Sequence, residues 1–237
     1  MLQFKTTLVI IFSLFSALSF SQTRDTITFA YMSVQNYEMN LSEIKKIISP
    51  KMRDYEGSYH FGESEGEANL EIIFSNGKLY ARTEYADWEN NTWVEKSDRQ
   101  SVDYSKYKIV IEKTEYELST SDNEKGLVSH YYESFEQNIH HDIQFNPDTN
   151  IERPEGKYPE ASFVKLTSKE LSELSISELK IMRNEIFARN GYIFKAGGKM
   201  NNYFSKKEWY KPIKKDVIKF SDIEKHNIEL ILKLEKS

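Results

Sequence analysis

Few residues in this chain stand at spacings that do chemistry. His140-His141-Asp142 is a compact set of metal-ligating types. Adjacent residues on a strand point to opposite faces, however, so neighbouring histidines do not converge on one ion unaided. A solvated polar turn is the reading we adopt for them. Glu63, Glu65 and Glu67 alternate beside a glycine-rich turn but lack the Asp/Asn-Gly order of a calcium loop. They read as a strand edge guarded by charge. Ala196-Gly197-Gly198-Lys199 lacks both the leading glycine spacing and the Ser/Thr after Lys that a phosphate loop requires. His60, His130 and His226 have no neighbours at ligand spacing, and no Gly-x-Ser-x-Gly or His-Glu-x-x-His run occurs. There are no cysteines, which excludes thiolate nucleophiles, zinc–thiolate sites and disulfides. Asp and Glu number 37, so some pair always lies close, and spacing favours none. The sequence therefore assigns no catalytic residue, no metal site and no cofactor.

Charge narrows the partners. The formal net charge is −5, opposite in sign to the basic face that attracts phosphates, so nucleic acid is not an expected partner. Residues 1–21 read as a secretory signal peptide. Lys5 supplies the positive start, Leu8 to Leu18 an uncharged apolar run, and Ser19-Phe20-Ser21 small residues at the cleavage site. The apolar run is short for a membrane span, so no transmembrane span is expected after cleavage. The expected address is periplasmic or extracellular.

The elements that must position any site follow from periodicity. The class is α+β: an N-terminal antiparallel β meander or small barrel with a short preceding helix, then a small all-α C-terminal domain. Thr26 to Met32 reads as a short strand. Asn40 and Glu43 cap a helix over about 41–48, and Pro50 ends it. From about Gly57 the pattern alternates. Leu70, Ile72 and Phe74 share a face, and Asn76-Gly77 marks a two-residue hairpin turn before a strand over 78–85. Further strands are expected over 107–113, 116–120 and 127–133, with turns at 87–91 and 119–126. The mainly β domain spans 22–145. Three prolines (Pro147, Pro154, Pro159) make 146–162 a linker, and the helical domain spans 163–237. There Thr167 and Glu170, Ser175 and Glu178, and Ser221 and Glu224 form capping boxes. One helix over 176–190 stops at Gly191.

The run Leu179-Lys180-Ile181-Met182-Arg183-Asn184-Glu185-Ile186-Phe187-Ala188-Arg189-Asn190-Gly191-Tyr192-Ile193-Phe194 resembles the signature of the YARHG-domain family. Tyr203-Phe204, Trp209-Tyr210-Lys211-Pro212 and the closing helix extend the resemblance over about 160–237. Phe187 stands where the family has Tyr and Asn190 where it has His, so neither carries a catalytic role here. The resemblance implies an extracellular bacterial module joined to varied partner domains. Candidate binding residues are Arg183, Arg189, Tyr192, Trp209 and Tyr210. Arg183 and Asn190 lie on or beside the apolar stripe of Leu179, Met182 and Ile186, which favours a structural duty: fixing how the last helix docks. The alternative duty is that Arg183 and Arg189 donate to an anionic cell-wall group.

The functional expectation is an exported, non-catalytic envelope protein that binds a cell-wall component or another exported protein. One alternative is a small-ligand carrier in which Tyr59, Phe61, Tyr80, Tyr85, Trp88 and Trp93 line a hollow barrel. A hydrolase of envelope polymers, needing facing carboxylates across a cleft, is the remaining one.

Overall fold

The computed structural model describes residues 44–61, 68–121, 124–132, 139–145, 151, 153–213 and 218–236. The signal segment, the strand expected over 26–32 and Glu63, Glu65 and Glu67 lie outside the described residues.

Short strands joined by tight turns build two antiparallel sheets. The first is β2 (Gly57–Phe61), β3 (Ala68–Ser75), β4 (Lys78–Glu89) and β5 (Thr92–Gln100), in sequence order. Its central hairpin turns on Asn76 (φ 49°) and Gly77 (φ 81°), as the sequence requires, with Ser75 opposite Lys78. A second turn of this kind, Asn90 (φ 48°) and Asn91 (φ 60°), extends β4 past the expected end and returns it as β5. The sequence reading missed β5 because after Trp93 and Val94 its side chains are charged or polar on both faces.

The second sheet runs β10 (Ile139–Phe145), β9 (Glu124–Tyr132), β8 (Thr114–Ser121), β7 (Lys108–Ile111) and β6 (Val102–Ser105). Lys106 (φ 50°) and Tyr107 (φ 65°) form the β6–β7 turn, so Tyr107, expected to open a strand, instead reverses the chain. The expected helix over 41–48 is corrected where it is described: Lys45–Lys46 is strand β1, paired with β8 opposite Thr120 and Ser119. So short a helix is marginal by itself, whereas β8 offers an unpaired edge and Ile47 reaches the core there. The barrel is corrected too, since the described strands form two sheets without a closed hydrogen-bonded ring.

The two sheets pack face to face. Tyr59, Leu70, Ile72 and Ala81 of the first meet Ile109, Ile111, Tyr116, Leu118 and Leu127 of the second. Tyrosines fill this interior rather than line a void: Tyr59 Oη donates to Tyr55 O at 2.9 Å and Tyr55 Oη to Tyr107 O at 2.8 Å.

The opposite face of the first sheet is buried as well. Ile73 and Tyr80 point away from the second sheet and enter a core made by Tyr158, Ala161, Phe163, Leu171, Leu179, Met182, Ile186 and Ile231. The last part of the stretch assigned to a linker, Pro159–Ser162, is a 3-10 turn whose Pro159, Glu160 and Ala161 are buried in this layer, not exposed. After it come α1 (Ser168–Leu171), α2 (Ile176–Arg189), α3 (Lys199–Phe204) and α4 (Asp222–Leu234). Thr167, Ser175 and Ser221 cap α1, α2 and α4 with Glu170, Glu178 and Glu224, as expected. The molecule is thus three layers, sheet on sheet on helices.

Candidate functional site

Helix α2 carries the motif residues and aims them inward. Leu179, Met182 and Ile186 are buried, and so is Glu185. One turn on, Arg189 has a side chain only 10% exposed and spends its donors internally. Its Nε donates to Glu155 O (2.6 Å), Nη1 to Ser162 Oγ (2.9 Å), and Nη2 to Tyr158 O (2.8 Å) and Glu185 Oε2 (3.1 Å). Burial pulls this guanidinium below its usual value, while the carboxylates of Glu185, Glu160 and Glu224 oppose the shift.

Glu185 is the partner that makes this burial tolerable. Its carboxylate also accepts from the backbone N–H of Lys157 (2.9 Å) and Tyr158 (2.8 Å). Successive amides converge on one anion, an arrangement that needs a backbone turned by a residue of positive φ. Gly156 provides it at φ 116°, and a Cβ there would sit 2.8 Å from Glu185 Oε2. Only glycine lets the chain approach so closely.

Two further polar groups close the network on α4. Glu224 combines its capping role with bonds from Ser162 Oγ (2.9 Å) and Asn190 Nδ2 (3.2 Å). Asn227, fully buried, accepts from Leu166 N–H (2.8 Å) and donates to Ala161 O (2.9 Å) and Val164 O (2.8 Å). Arg183 faces Glu235 just past the end of α4, Nε to Oε1 at 2.8 Å and Nη2 to Oε2 at 3.2 Å. Arg183 and Asn190 thus both bind α4. The sequence reading missed Glu185 and Asn227 and read Glu224 only as a helix cap, although Glu185 stands four residues before Arg189 beside the apolar stripe.

Gly191 (φ 78°) ends α2 and lets Ile213 N–H donate to its carbonyl at 2.9 Å. Beyond it lies an aromatic cluster. Phe194 stacks on Phe204 (5.0 Å between centroids, 14° between planes), and Trp209 meets Phe204 edge-on. Tyr210 is buried and its Oη donates to Tyr192 O at 2.7 Å. Phe187 packs edge-on against Tyr192 and Phe220. Tyr192 (41% exposed), Ile193 (55%) and Ile213 (55%) face solvent, Ile213 being held next to this segment by its N–H bond to the Gly191 carbonyl. Exposed Lys195 and Lys211 flank them along the chain.

The five candidate residues are therefore divided. Arg183 and Arg189 are engaged by internal acceptors, Tyr210 and Trp209 belong to the aromatic cluster, and Tyr192 reaches the surface. Among the described side chains the sheet aromatics do not converge: Tyr59 and Tyr80 are buried in different cores, Tyr85 Oη donates to Asp98 Oδ2 at 2.7 Å, and Trp88 and Trp93 form an exposed edge-on pair at the β4–β5 tip, while the side chain of Phe61 lies outside those described. The backbone of His140-His141-Asp142 is strand β10, not a turn. His226 Nε2 is hydrogen-bonded with Leu166 O at 3.1 Å. Among the described residues no helix is long and apolar enough to cross a membrane, and no group of His, Asp and Glu is placed to hold a metal ion.

No curated protein and no solved structure matches the chain. Residues 157–236, which hold Arg189, Glu185, Glu224 and Asn227, the aromatic cluster and α1 to α4, match the YARHG domain, and the helical C-terminal region of this protein is a YARHG domain.

Proposed function

We propose that this is an exported bacterial envelope protein of non-catalytic binding type, whose YARHG domain holds a cell-wall polymer on its outer aromatic face. The carrying observation is the patch of Tyr192, Ile193 and Ile213, apolar side chains left in solvent above a rigid aromatic cluster. Apolar groups collected at one surface spot mark contact sites. Sugar rings stack on such faces, and Lys195 and Lys211 stand beside the patch to meet anionic groups of the polymer. The motif arginines serve a different end in this reading: they hold the patch in place. The signal-type segment over 1–21 supports export.

The test is co-sedimentation of the chain from Gln22 onward with purified cell-wall sacculi, since the helical layer shares its core with the sheet and is best kept attached. The chain is expected to pellet. The triple variant Tyr192→Ser, Ile193→Ser, Ile213→Ser is expected to bind at least about tenfold more weakly, and Lys195→Gln with Lys211→Gln to weaken binding at low salt and make it less salt-sensitive. A wild-type chain that stays in the supernatant removes the wall polymer as partner. Equal pelleting of the triple variant moves the binding surface elsewhere.

A further inference from the structure

Strand β5 closes the first sheet, and its only partner in that sheet is β4. The Asn90-Asn91 turn fixes which of its backbone groups stay open. In a two-residue hairpin the residues flanking the turn, here Glu89 and Thr92, exchange both of their backbone bonds, and bonded and unbonded pairs then alternate. Thr92, Val94, Lys96, Asp98 and Gln100 therefore bond to β4. The N–H and C=O groups of Trp93, Glu95, Ser97 and Arg99 point away from the sheet. Among the described residues these outward groups meet no other backbone partner, and all four residues are exposed.

An open strand edge is a template for another strand. Charged side chains ordinarily guard such an edge, because a second strand brings like charges face to face. On β5 the charges follow a different order. From Glu95 to Arg99 they read acid, base, serine, acid, base, so the sign reverses about Ser97. Two identical edges related by a twofold axis pair antiparallel. Outward groups must also meet outward groups, which puts the axis on a residue and not between two. Centred on Glu95 or on Lys96, the ladder sets that charge against its own copy. Centred on Ser97, it sets Glu95 against Arg99 and Lys96 against Asp98, each twice, and pairs Val94 through Gln100 of both copies. Centres nearer either end of the strand shorten the ladder. Within one chain Lys96 bridges Asp87 and Glu89 at 3.1 and 2.8 Å, and Arg99 holds Glu170 at 2.6 and 3.0 Å. Glu95 has no ion-pair partner among the described residues, and the Arg99 of a second copy supplies one.

We propose that the protein forms a twofold dimer through β5, joining the first sheets of two copies into one continuous sheet with Ser97 on the axis. This surface is separate from the patch around Tyr192, and its partner is a second copy of this chain.

Sedimentation equilibrium of the chain from Gln22 onward, from about 1 µM to about 1 mM, is expected to show the mass rising from one copy toward two. Asp98→Lys and Lys96→Glu each set like charges against each other and are expected to weaken the dimer at least about tenfold. Mixed in equal amounts, these two variants restore both opposite-charge pairs and are expected to associate with each other as the wild type does with itself. A variant that had merely lost its fold would gain nothing from mixing. The chain has no cysteine, so an engineered one reports the axis directly. Directly opposed, hydrogen-bonded residues have Cα atoms about 5.5 Å apart, within disulfide reach. Ser97→Cys is expected to cross-link under mild oxidation, and Thr92→Cys, outside the paired stretch, to stay single. A wild-type chain that keeps the mass of one copy at about 1 mM overturns the proposal. So does a dimer left intact by Asp98→Lys, a mixture that fails to associate, or equal cross-linking of Ser97→Cys and Thr92→Cys.

Discussion

At the scale of single residues, the chemistry of this protein lies in which charges are compensated. Burial works to raise the Glu170 carboxyl, but the Arg99 guanidinium and the Thr167 hydroxyl and amide outweigh it and hold the group down at about 2. A carboxylate depressed in the fold contributes stability above its ordinary value, and that contribution is lost as pH falls through the folded value. Glu170→Gln is therefore expected to cost on the order of 1–2 kcal/mol at pH 7, after allowance for solvent screening of a partly exposed pair. The difference from wild type should close as pH falls from about 4.5 toward 2. Urea melts at several pH values measure both. A pH-independent difference would place the effect in the capping geometry, not in the charge.

Among the elements, the YARHG motif acts as a clamp. Arg189 ties α2 to Glu155, Tyr158 and Ser162, and Glu185 ties the same helix to the amides of Lys157 and Tyr158. Removing one member of a buried ion pair leaves the other uncompensated, at about 3–5 kcal/mol. Arg189→Ala is expected to lower the unfolding free energy obtained from urea melts by that much, and Arg189→Lys by less, since it keeps the charge and loses the fork. If Arg189→Ala melts like wild type, the arginine is free for a ligand and the clamp is wrong. The helix itself, its three-residue capping boxes and its glycine stop were legible in the sequence because they depend on neighbours within one turn. The partners of Arg189 lie 27 to 34 residues away for three of its four bonds, and local periodicity carries no trace of them.

For the whole molecule, the first sheet is a middle layer. Ile73 and Tyr80 lie on the face opposite Leu70, Ile72 and Ala81, and they enter the core of the YARHG domain. Arg82 reinforces the junction, its guanidinium 4.3 Å from the centre of the Phe163 ring. Sheet and helices are therefore expected to unfold together, in one transition seen alike by far-ultraviolet circular dichroism and by aromatic signals. Ile73→Ala, which opens a void at the junction, is expected to cost about 2–4 kcal/mol and to lower both signals together. Two separated transitions in the wild-type chain would show that the layers fold as independent domains.

The sequence by itself determined whatever one or two turns of chain decide: the Asn76-Gly77 reversal, the alternating strands, the capped helices and the likeness of the C-terminal residues to the YARHG family. It misjudged 41–48, where the apolar spacing of Leu41, Ile44, Ile47 and Ile48 suits a helix but the open edge of β8 claims the backbone of Lys45–Lys46. It left Ile73 without a role and gave Tyr80 a place only in the lining of a hollow barrel, because an apolar residue on the polar side of a strand acquires its meaning only when a third layer covers it. Tertiary structure alone decided that Arg189 is spent inside while Tyr192 stays outside. The physical reason is that a guanidinium's fate depends on which acceptors the fold brings within about 3 Å, and those acceptors come from distant segments that only packing places together.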